Sequence, residues 1–231
     1  MKAIAEACLS AGISVDEETA GLLARHVDLA YEAGAHQNLT RVPRDQAPLL
    51  HVVDSLLGLE AMKASGSGDW ADIGSGAGFP GIPLCVRGVR HVDLIESVAK
   101  KSRFLNTVAA ELCLDVTVRE CRAEEAAQES RDRYASVSVR AVGALSELTE
   151  LAAPLLRMGG ALVAWKGAPT DEELRRGAAV GRMVGLAMRE VRPYGLPSSE
   201  ARRTLVVFEK VAGSRVRLPR RPGLARSRPL A

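Results

Sequence analysis

Aromatic residues, cysteines and long apolar runs are all scarce in this sequence. Phenylalanine, tryptophan and tyrosine make up 3% of its 231 residues, which argues against extensive stacking of nucleobases on aromatic side chains. The four cysteines form no CxxC pair and no histidine stands at ligand spacing, so we expect reduced thiols and no bound metal. No stretch reaches the length of a bilayer span and the N-terminus lacks a signal-peptide pattern, so we expect a cytoplasmic protein without a membrane anchor.

Positive charge is concentrated towards the C-terminus. Residues 1–40 carry two basic and six acidic side chains, residues 41–199 carry 20 of each, and residues 200–231 carry nine basic and two acidic ones. A basic segment on an otherwise balanced chain is typical of a protein with a polyanionic partner. A disordered segment that improves solubility would have the same composition, so both interpretations remain open.

A glycine-rich stretch, residues 70–81, has the pattern of a ligand-binding turn. A short apolar run reaches Asp72, and Gly74, Gly76 and Gly78 then alternate with small residues. This order predicts a buried strand, a tight turn and a helix start, where glycine allows positive φ and exposed N–H groups can bind a polar ligand. Counted from Gly76, the stretch also fits G-x-G-x-x-G, which suits NAD and other adenosine-containing cofactors alike. A glycine-rich turn without a ligand is the alternative.

The rest of the pattern predicts an α/β fold with seven strands. Residues 1–67 have helical spacing, with a first long helix that ends at Gly34 and a second that runs through the leucines of residues 49–59. From Asp69 onward, five strands alternate with helices, and residues 188–192 and 204–210 form two more strands. The link between these two is too short for a crossover helix, so we expect them to be antiparallel. This is the plan of the class I (Rossmann-like) methyltransferase sheet, whereas the sixth strand of the NAD fold is usually parallel.

Three regions follow from this pattern. An N-terminal helical extension (residues 1–67) is expected to pack on a core that holds the sheet (residues 68–211). A flexible joint of serine and glycine separates the two. The final residues 212–231 are basic and rich in proline, glycine and arginine, so we expect a largely irregular tail.

Charged residues stand at the ends of predicted strands, where open α/β sheets bind their ligands. Glu96 ends the second strand, 18 residues after Gly78, close to the spacing at which a carboxylate reaches the ribose of an adenosine cofactor. Glu124 follows the third strand, where a loop can reach the adenine, and Arg140 and Lys166 end the fourth and fifth strands. Ordinary strand-end or helix-start charges would give the same pattern at Glu96, Glu124 and Lys166.

Seven short motifs occur in chain order, and together they resemble one enzyme family. They are Asn38-Leu39-Thr40, His51-x-x-Asp54-Ser55-Leu56, Asp72-Ile73-Gly74-Ser75-Gly76-Ala77-Gly78-Phe79-Pro80-Gly81-Ile82-Pro83-Leu84, Lys100-Lys101-Ser102-Arg103-Phe104-Leu105, Arg122-Ala123-Glu124-Glu125, Arg140-Ala141 and Lys166-Gly167. This combination resembles the small-subunit ribosomal RNA guanine-N7 methyltransferases, the RsmG or GidB family, over about residues 38–210. The closing stretches 219–223 and 228–230 are similar to the tail of actinobacterial members. Two places depart from the family: residues 34–37 replace an aromatic–Asn pair, and Arg203 replaces a histidine before the last strand.

The resemblance implies a reaction, a cofactor and a set of site residues. The reaction is methylation of N7 of one guanine in a conserved 16S rRNA loop near the decoding site, in the cytoplasm, with S-adenosylmethionine as the methyl donor. From the family and the glycine turn together, the expected cofactor-binding residues are Asp72, Gly74, Gly76, Gly78, Phe79, Glu96, Ser97, Ala123, Glu124 and Arg140. Arg140 is also the expected catalytic residue, which serves both the cofactor and the guanine. A monomer is expected to bind 16S rRNA or the small ribosomal subunit through Lys166, Arg202, Arg203, Arg220 and Arg221.

No general base is expected for this reaction. N7 of guanine carries a lone pair and no proton, so it can attack the sulfonium methyl group directly, and catalysis would rest on positioning. The sequence agrees with this, because it has no acid–base constellation and no metal motif. The residues bear on three other functions. The antiparallel final hairpin argues against a nicotinamide-dependent oxidoreductase, and the cofactor turn followed by Glu96, Glu124 and Arg140 argues against an RNA-binding module without catalysis. A methyltransferase of this fold with another substrate remains open.

Overall fold

The strands form one seven-stranded sheet in the computed structural model, which describes residues 1–37, 39–88, 91–200 and 202–231. In chain order they are β1 (Trp70–Ile73), β2 (Val92–Ile95), β3 (Val116–Arg119), β4 (Tyr134–Arg140), β5 (Leu156–Lys166), β6 (Leu186–Tyr194) and β7 (Arg203–Lys210). Their order across the sheet is β3-β2-β1-β4-β5-β7-β6. Strands β1 to β5 run parallel and β7 is antiparallel to both β5 and β6, which confirms the predicted sheet.

Helices alternate with these strands and also precede them. Ahead of β1 lie α1 (Lys2–Ser10), α2 (Glu17–Gln37), a 3₁₀ turn (Arg44–Gln46), a π-helical segment (Pro48–Val53), α3 (Asp54–Leu56) and α4 (Leu59–Lys63). The helices that follow are α5 (Gly81–Val86), α6 (Ala99–Glu111), α7 (Ala123–Glu129), α8 (Leu145–Ala152), α9 (Asp171–Val184) and α10 (Leu224–Ser227). One helix thus lies between each pair of consecutive parallel strands, as parallel connections require.

The sheet separates two apolar cores. Alternate side chains of a strand point to opposite faces, so Val163 of β5 joins the core beneath the N-terminal helices, α5 and α6, whereas Leu162 and Ala164 join the core beneath α7, α8 and α9. The C-terminal residues, irregular apart from α10, lie on the α7–α9 side, where Leu218 and Ala225 are buried. The chain therefore begins on one face of the sheet and ends on the other.

The strand register brings the ends of the central strands to one edge. Ile73 at the end of β1 lies beside Ile95 of β2 and Val139 of β4. Arg140, the last residue of β4, pairs with Trp165 of β5. The residues that follow these strands therefore meet at the carboxyl edge, where ligands bind in open α/β sheets.

Two details of the predicted N-terminal helices are wrong. Gly34 lies inside α2 and does not end it, because a helix loses only about 1 kcal/mol at a glycine and α2 packs an apolar face on the core. The helix predicted over residues 49–59 is interrupted between α3 and α4, where a Cβ on Gly58 would lie 2.0 Å from Cζ2 of Trp165. Asn38, the first residue of one family motif, lies outside the described residues.

Gly58→Ala is expected to destabilise the protein by about 1–3 kcal/mol, because the added methyl group overlaps the Trp165 ring. Gly34→Ala is a matched control, since a Cβ there has no neighbour within 4 Å, and it is expected to add up to about 1 kcal/mol of stability. Urea denaturation measures both free energies of unfolding. Equal effects of the two substitutions would contradict the described packing.

Candidate active site

The glycine turn between β1 and α5 lies at the carboxyl edge of the sheet. The φ angles of Gly74, Gly76 and Gly78 are +70°, +57° and +87°, a region in which a residue with a Cβ is strained. The N–H of Gly74 donates to the carbonyl oxygen of Ile95 (2.8 Å), and the N–H of Gly76 donates to Oε2 of Glu96 (2.9 Å). These two bonds fix the turn to the end of β2.

The three glycines have different surroundings. A Cβ on Gly74 would lie 2.6 Å from Cγ2 of Val142, and a Cβ on Gly78 would lie 2.9 Å from Nε2 of His26. A Cβ on Gly76 would meet nothing closer than the carbonyl oxygen of Gly74, at 3.7 Å. Packing inside the protein therefore requires glycine at positions 74 and 78, whereas Gly76 borders open space that a ligand can enter.

Two buried carboxylates support the turn. Besides its bond to Gly76, Glu96 accepts a hydrogen bond on Oε1 from the N–H of Val98 (2.8 Å). Asp72 accepts one on Oδ1 from the Ser138 hydroxyl (2.7 Å), and its Oδ2 has no partner among the residues that the structure describes. Burial raises the pKa of Asp72 to about 6, against the opposing effect of the Ser138 hydrogen bond. Glu96 is thus the carboxylate that touches the turn, while Asp72 lies in the strand before it.

The residues predicted to follow β2 and β3 lie at the same edge. Ser97 is exposed after β2, and Ala123 and Glu124 are buried in the first turn of α7. Oε1 of Glu124 accepts a hydrogen bond from the N–H of Gly223 (2.8 Å). No sequence signal indicated this contact with the tail, because the two residues are far apart along the chain.

Phe79, the aromatic residue of the turn, lies between two histidines. Its ring centroid is 4.3 Å from that of His26 and 4.4 Å from that of His51, and the His51 ring is stacked at 9° to it. The guanidinium carbon of Arg140 lies 5.4 Å from the same centroid. The structure therefore brings the predicted residues Phe79 and Arg140 together. Neither histidine was predicted as a site residue. His51 could have been, because it belongs to one of the family motifs, whereas nothing in the sequence distinguishes His26.

Both histidines are neutral at pH 7. His26 donates from Nε2 to the carbonyl oxygen of Ala77 (2.8 Å), and burial lowers its pKa to about 4. His51 accepts on Nδ1 from Nη2 of Arg140 (3.2 Å), which assigns its proton to Nε2, 2.7 Å from the Thr40 hydroxyl oxygen. Burial and then the Arg140 charge lower the pKa of His51 to about 3. These rings therefore act as packing and hydrogen-bonding groups, with their protons already assigned.

Acid is expected to destabilise the protein below pH 6.5 through these two histidines. Their pKa values in the folded protein lie below the ordinary 6.5. Below that pH the unfolded chain therefore takes up protons that the folded protein does not, and the free energy of unfolding decreases as the pH is lowered. Asp72 acts in the opposite direction between pH 6 and 3.8. The three groups together give a slope of about 1.4 kcal/mol per pH unit in that range. Urea denaturation at several pH values measures it; His26→Gln should flatten the slope, and an unchanged slope would contradict the assignment.

Asp54 joins the N-terminal helices to four strands. Its buried carboxylate accepts from Nη1 of Arg140 on Oδ2 (2.9 Å) and from the Tyr194 hydroxyl on Oδ1 (2.6 Å). Nε of Arg203 lies 3.5 Å from Oδ1, and the backbone carbonyl oxygen of Asp54 accepts from Nε1 of Trp165 (2.8 Å). These partners lie on β4, β6, β7 and β5 in turn. The guanidinium of Arg140 is therefore held in one orientation from the side of the N-terminal helices.

A cavity of about 280 Å³ opens beside this cluster. Its lining includes three cations and one carboxylate, namely Arg140, Lys166, Arg203 and Asp54, so it favours a ligand rich in hydrogen-bond acceptors or negative charge. Ala141, which also lines it, has φ +59°, a strained value for a residue with a Cβ. Strained backbone directly after Arg140 is a further indication of a functional site.

Two of the predicted RNA contacts, Lys166 and Arg203, line this cavity, and Arg202 is exposed nearby. Lys166 donates to the carbonyl oxygen of Gly143 (2.9 Å) and pairs with Glu173 (2.7 Å), so it also holds the loop after β4. A second, more open cavity of about 560 Å³ shares Arg203 and includes Arg202. The two cavities therefore adjoin at Arg203, and Arg202 places a second cation beside the start of β7.

The other two predicted RNA contacts lie in the tail, away from the cavity. Arg220 makes two hydrogen bonds to the buried carboxylate of Glu150, at 2.7 and 2.6 Å, and one to the carbonyl oxygen of Arg228 (2.8 Å). Arg221 is exposed. Arg220 would have to leave Glu150 to reach a phosphate, whereas Arg221 would not have to break such a pair.

The part of the chain that the structure describes offers no metal site, since no group of three histidine, cysteine, aspartate or glutamate side chains is placed to hold an ion. Cys85 is buried, and burial raises the pKa of its thiol to about 11, so it is inert at neutral pH. Within the same residues, no helix has both the length and the apolar composition that a bilayer span needs.

Comparisons with known proteins agree on one family. The family model described as GidB, rRNA small subunit methyltransferase G, matches residues 20–198. Ribosomal RNA small subunit methyltransferase G of Deinococcus radiodurans is 40% identical over 220 residues, which are 93% of this chain and 85% of that protein. The protein of the same name from Carboxydothermus hydrogenoformans is 36% identical over 225 residues, or 95% of each chain.

Solved structures agree on the fold. A geranyl diphosphate methyltransferase in complex with SAM superimposes with a TM-score of 0.57 at 16% identity, over 69% of this chain and 85% of that one. At this identity the likeness shows the fold alone, which is the Rossmann-like methyltransferase sheet predicted from the sequence.

Proposed function

Because the chain belongs to the GidB family of rRNA small subunit methyltransferases, we propose that it transfers a methyl group from S-adenosylmethionine to N7 of one guanine in a 16S rRNA loop near the decoding site. One structural observation carries the proposal: Arg140, which lines the cavity, has its guanidinium carbon 5.4 Å from the ring centroid of Phe79 in the glycine turn. A methyl donor on the turn and a base in the cavity would therefore be neighbours.

The residues around the turn fit S-adenosylmethionine. Gly76 borders open space, and Glu96 holds a buried carboxylate against the turn, with oxygens that can each accept a further hydrogen bond from a ribose hydroxyl. We propose that the group is held by Gly74, Gly76, Gly78, Phe79, Glu96, Ser97, Ala123, Glu124 and Arg140, with Asp72 supporting the turn. When bound, S-adenosylmethionine supplies an electrophilic methyl group on a positively charged sulfur.

The chain's own part in this reaction is to bind and orient. N7 of guanine has no proton to remove, and the neutral histidines nearby have their N–H groups directed to Ala77 and Thr40. Holding two reactants in line can lower a barrier by up to about 7–11 kcal/mol. The protein therefore needs a rigid site more than an acid or a base.

Arg140 is the residue that we propose faces the guanine. Asp54 and His51 fix its guanidinium before any substrate arrives. The base presents two acceptors in its major-groove edge, O6 and N7. A guanidinium that donates to O6 alone would orient the base and leave the N7 lone pair accessible.

The RNA strand is proposed to continue from this cavity past the two arginines at the start of β7. Lys166, Arg203 and Arg202 would neutralise phosphates there, and the exposed Arg221 is a further candidate in the tail. A single-stranded loop lowers the cost of bringing one base out of its stack. We propose that the enzyme acts as a cytoplasmic monomer on 16S rRNA or the small subunit.

A methyl-transfer assay with radiolabelled S-adenosylmethionine tests this function on naked 16S rRNA and on isolated small subunits. Label is expected in at least one of them. Binding of S-adenosylmethionine without transfer to either form would favour a methyltransferase with another substrate. Binding of NADH in place of S-adenosylmethionine would favour the oxidoreductase.

A further inference from the structure

The C-terminal strap, residues 218–231, crosses α7 and α8 as an ordered segment. Leu218 is 5% exposed and Ala225 is 2% exposed, and both belong to the core on that side of the sheet. Nη1 of Arg131 donates to the carbonyl oxygen of Leu218 (2.7 Å). The strap is therefore anchored at its start and in its middle by contacts that bury apolar atoms.

A buried ion pair fixes the strap between these anchors. Arg220 donates from Nε and Nη2 to the two oxygens of Glu150, whose side chain is 4% exposed. Two parallel bonds between a guanidinium and a carboxylate are strong and directional. The same Nη2 donates to the carbonyl oxygens of Arg228 (2.8 Å) and Leu224 (3.4 Å), so one side chain ties α8 to both ends of the short helix α10.

Gly223, three residues after this pair, reaches the candidate cofactor site. Its φ of +81° turns the chain so that its N–H donates to Oε1 of Glu124 (2.8 Å). Glu124 is 8% exposed and lies in the first turn of α7, at the carboxyl edge that also holds Glu96. Its other oxygen, Oε2, has no hydrogen-bond partner within the described part of the chain, so it can accept one from a ligand.

From this chain of contacts, we infer that the strap positions Glu124 for the cofactor, and that the Arg220–Glu150 pair sets cofactor affinity from outside the pocket. This inference rests on the proposed function of the site. A glutamate without the Gly223 bond would have to be immobilised when the ligand binds, and that ordering weakens binding. With the bond in place, Oε1 is already held and Oε2 remains available to accept a hydrogen bond from the ligand.

Arg220→Gln tests the inference in the full-length protein. It breaks the pair with Glu150 and should raise the Kd for S-adenosylmethionine, measured by calorimetry, by roughly tenfold, as expected when a hydrogen bond to a charged group is lost. Arg217→Gln is the matched control: the same substitution on an exposed arginine of the neighbouring tail residues, with an expected change of less than about twofold. Thermal unfolding without ligand records the stability of each variant separately.

A double-mutant cycle with Glu124→Ala separates positioning from general destabilisation. If the pair acts through Glu124, Arg220→Gln should add almost nothing to the Kd of the Glu124→Ala protein. Should Arg220→Gln fold poorly because it leaves Glu150 buried without its partner, Arg220→Gln/Glu150→Gln gives the same measurement without a buried unpaired charge.

The inference would be overturned by a wild-type Kd in Arg220→Gln, or by a full additional loss in the Glu124→Ala background. A change confined to rRNA affinity would also overturn it and would assign the strap to the RNA. Failure of the wild-type protein to bind S-adenosylmethionine would instead contradict the proposed function, so the two failures are distinguishable.

Discussion

Gly76→Ala is expected to weaken binding of S-adenosylmethionine by at least about tenfold. The backbone φ is +57°, and a Cβ at this position meets no protein atom closer than 3.7 Å, so the added methyl group would project into the space assigned to the ligand. The fold should survive, because an alanine in this region costs only roughly 1–2 kcal/mol. Calorimetric titration gives the Kd, and urea denaturation gives the stability.

Gly12→Ala is the control for the backbone cost. Gly12 lies just after α1, has φ +73°, and a Cβ on it would have no atom within 4 Å. Its stability loss should match that of Gly76→Ala, with the Kd for S-adenosylmethionine unchanged. If both variants bind the ligand as tightly as wild type, the ligand does not lie across Gly76.

Arg140→Lys is expected to lower methyl transfer by roughly 10²–10³-fold, the effect of losing one well-placed donor in an active site. Lysine keeps the charge that pairs with Asp54 but lacks the planar fork that also serves His51 and the carbonyl oxygen of Leu50. Because Arg140 is also proposed to touch the cofactor, the Kd for S-adenosylmethionine should rise too, but by much less than the loss in methyl transfer. Single-turnover methyl transfer to rRNA measures it.

Arg133→Lys provides the matched control at the other end of the same strand. Arg133 precedes β4 and pairs with Asp69 at 2.9 Å, with 41% of its side chain exposed. The same substitution there keeps an ion pair at the edge away from the cavity, so transfer should stay within about twofold of wild type. Equal losses in the two variants would show that Arg140 acts only through stability.

Local patterns were enough to predict the sheet and the turn. The short link before β7 implied an antiparallel end, and the glycines at positions 74, 76 and 78 implied positive φ, which all three have. Glu96 could be placed because its spacing from the turn follows from one crossover helix. These features depend on neighbours in sequence, and sequence periodicity records them.

The rest of the site depends on contacts between distant parts of the chain. Asp54 accepts a hydrogen bond from Tyr194, 140 residues later in the chain, and Glu124 accepts one from Gly223, 99 residues later. The local sequence around a single histidine on an amphipathic helix, such as His26, does not indicate that the side chain will pack on the ring of Phe79. At Gly34 the local sequence predicts the end of a helix, but packing of α2 on the core overrides that signal. Such partners follow from tertiary packing, which no local pattern encodes.

Mass-spectrometric mapping of 16S rRNA tests the central claim most directly. RNA from cells that contain the protein is compared with RNA from cells that lack it and from cells complemented with Gly76→Ala or Gly12→Ala. We expect a single N7-methylguanosine that disappears without the protein, returns with Gly12→Ala and is diminished with Gly76→Ala. An unchanged set of modified nucleotides, or loss of a methyl group from an atom other than guanine N7, would contradict the account.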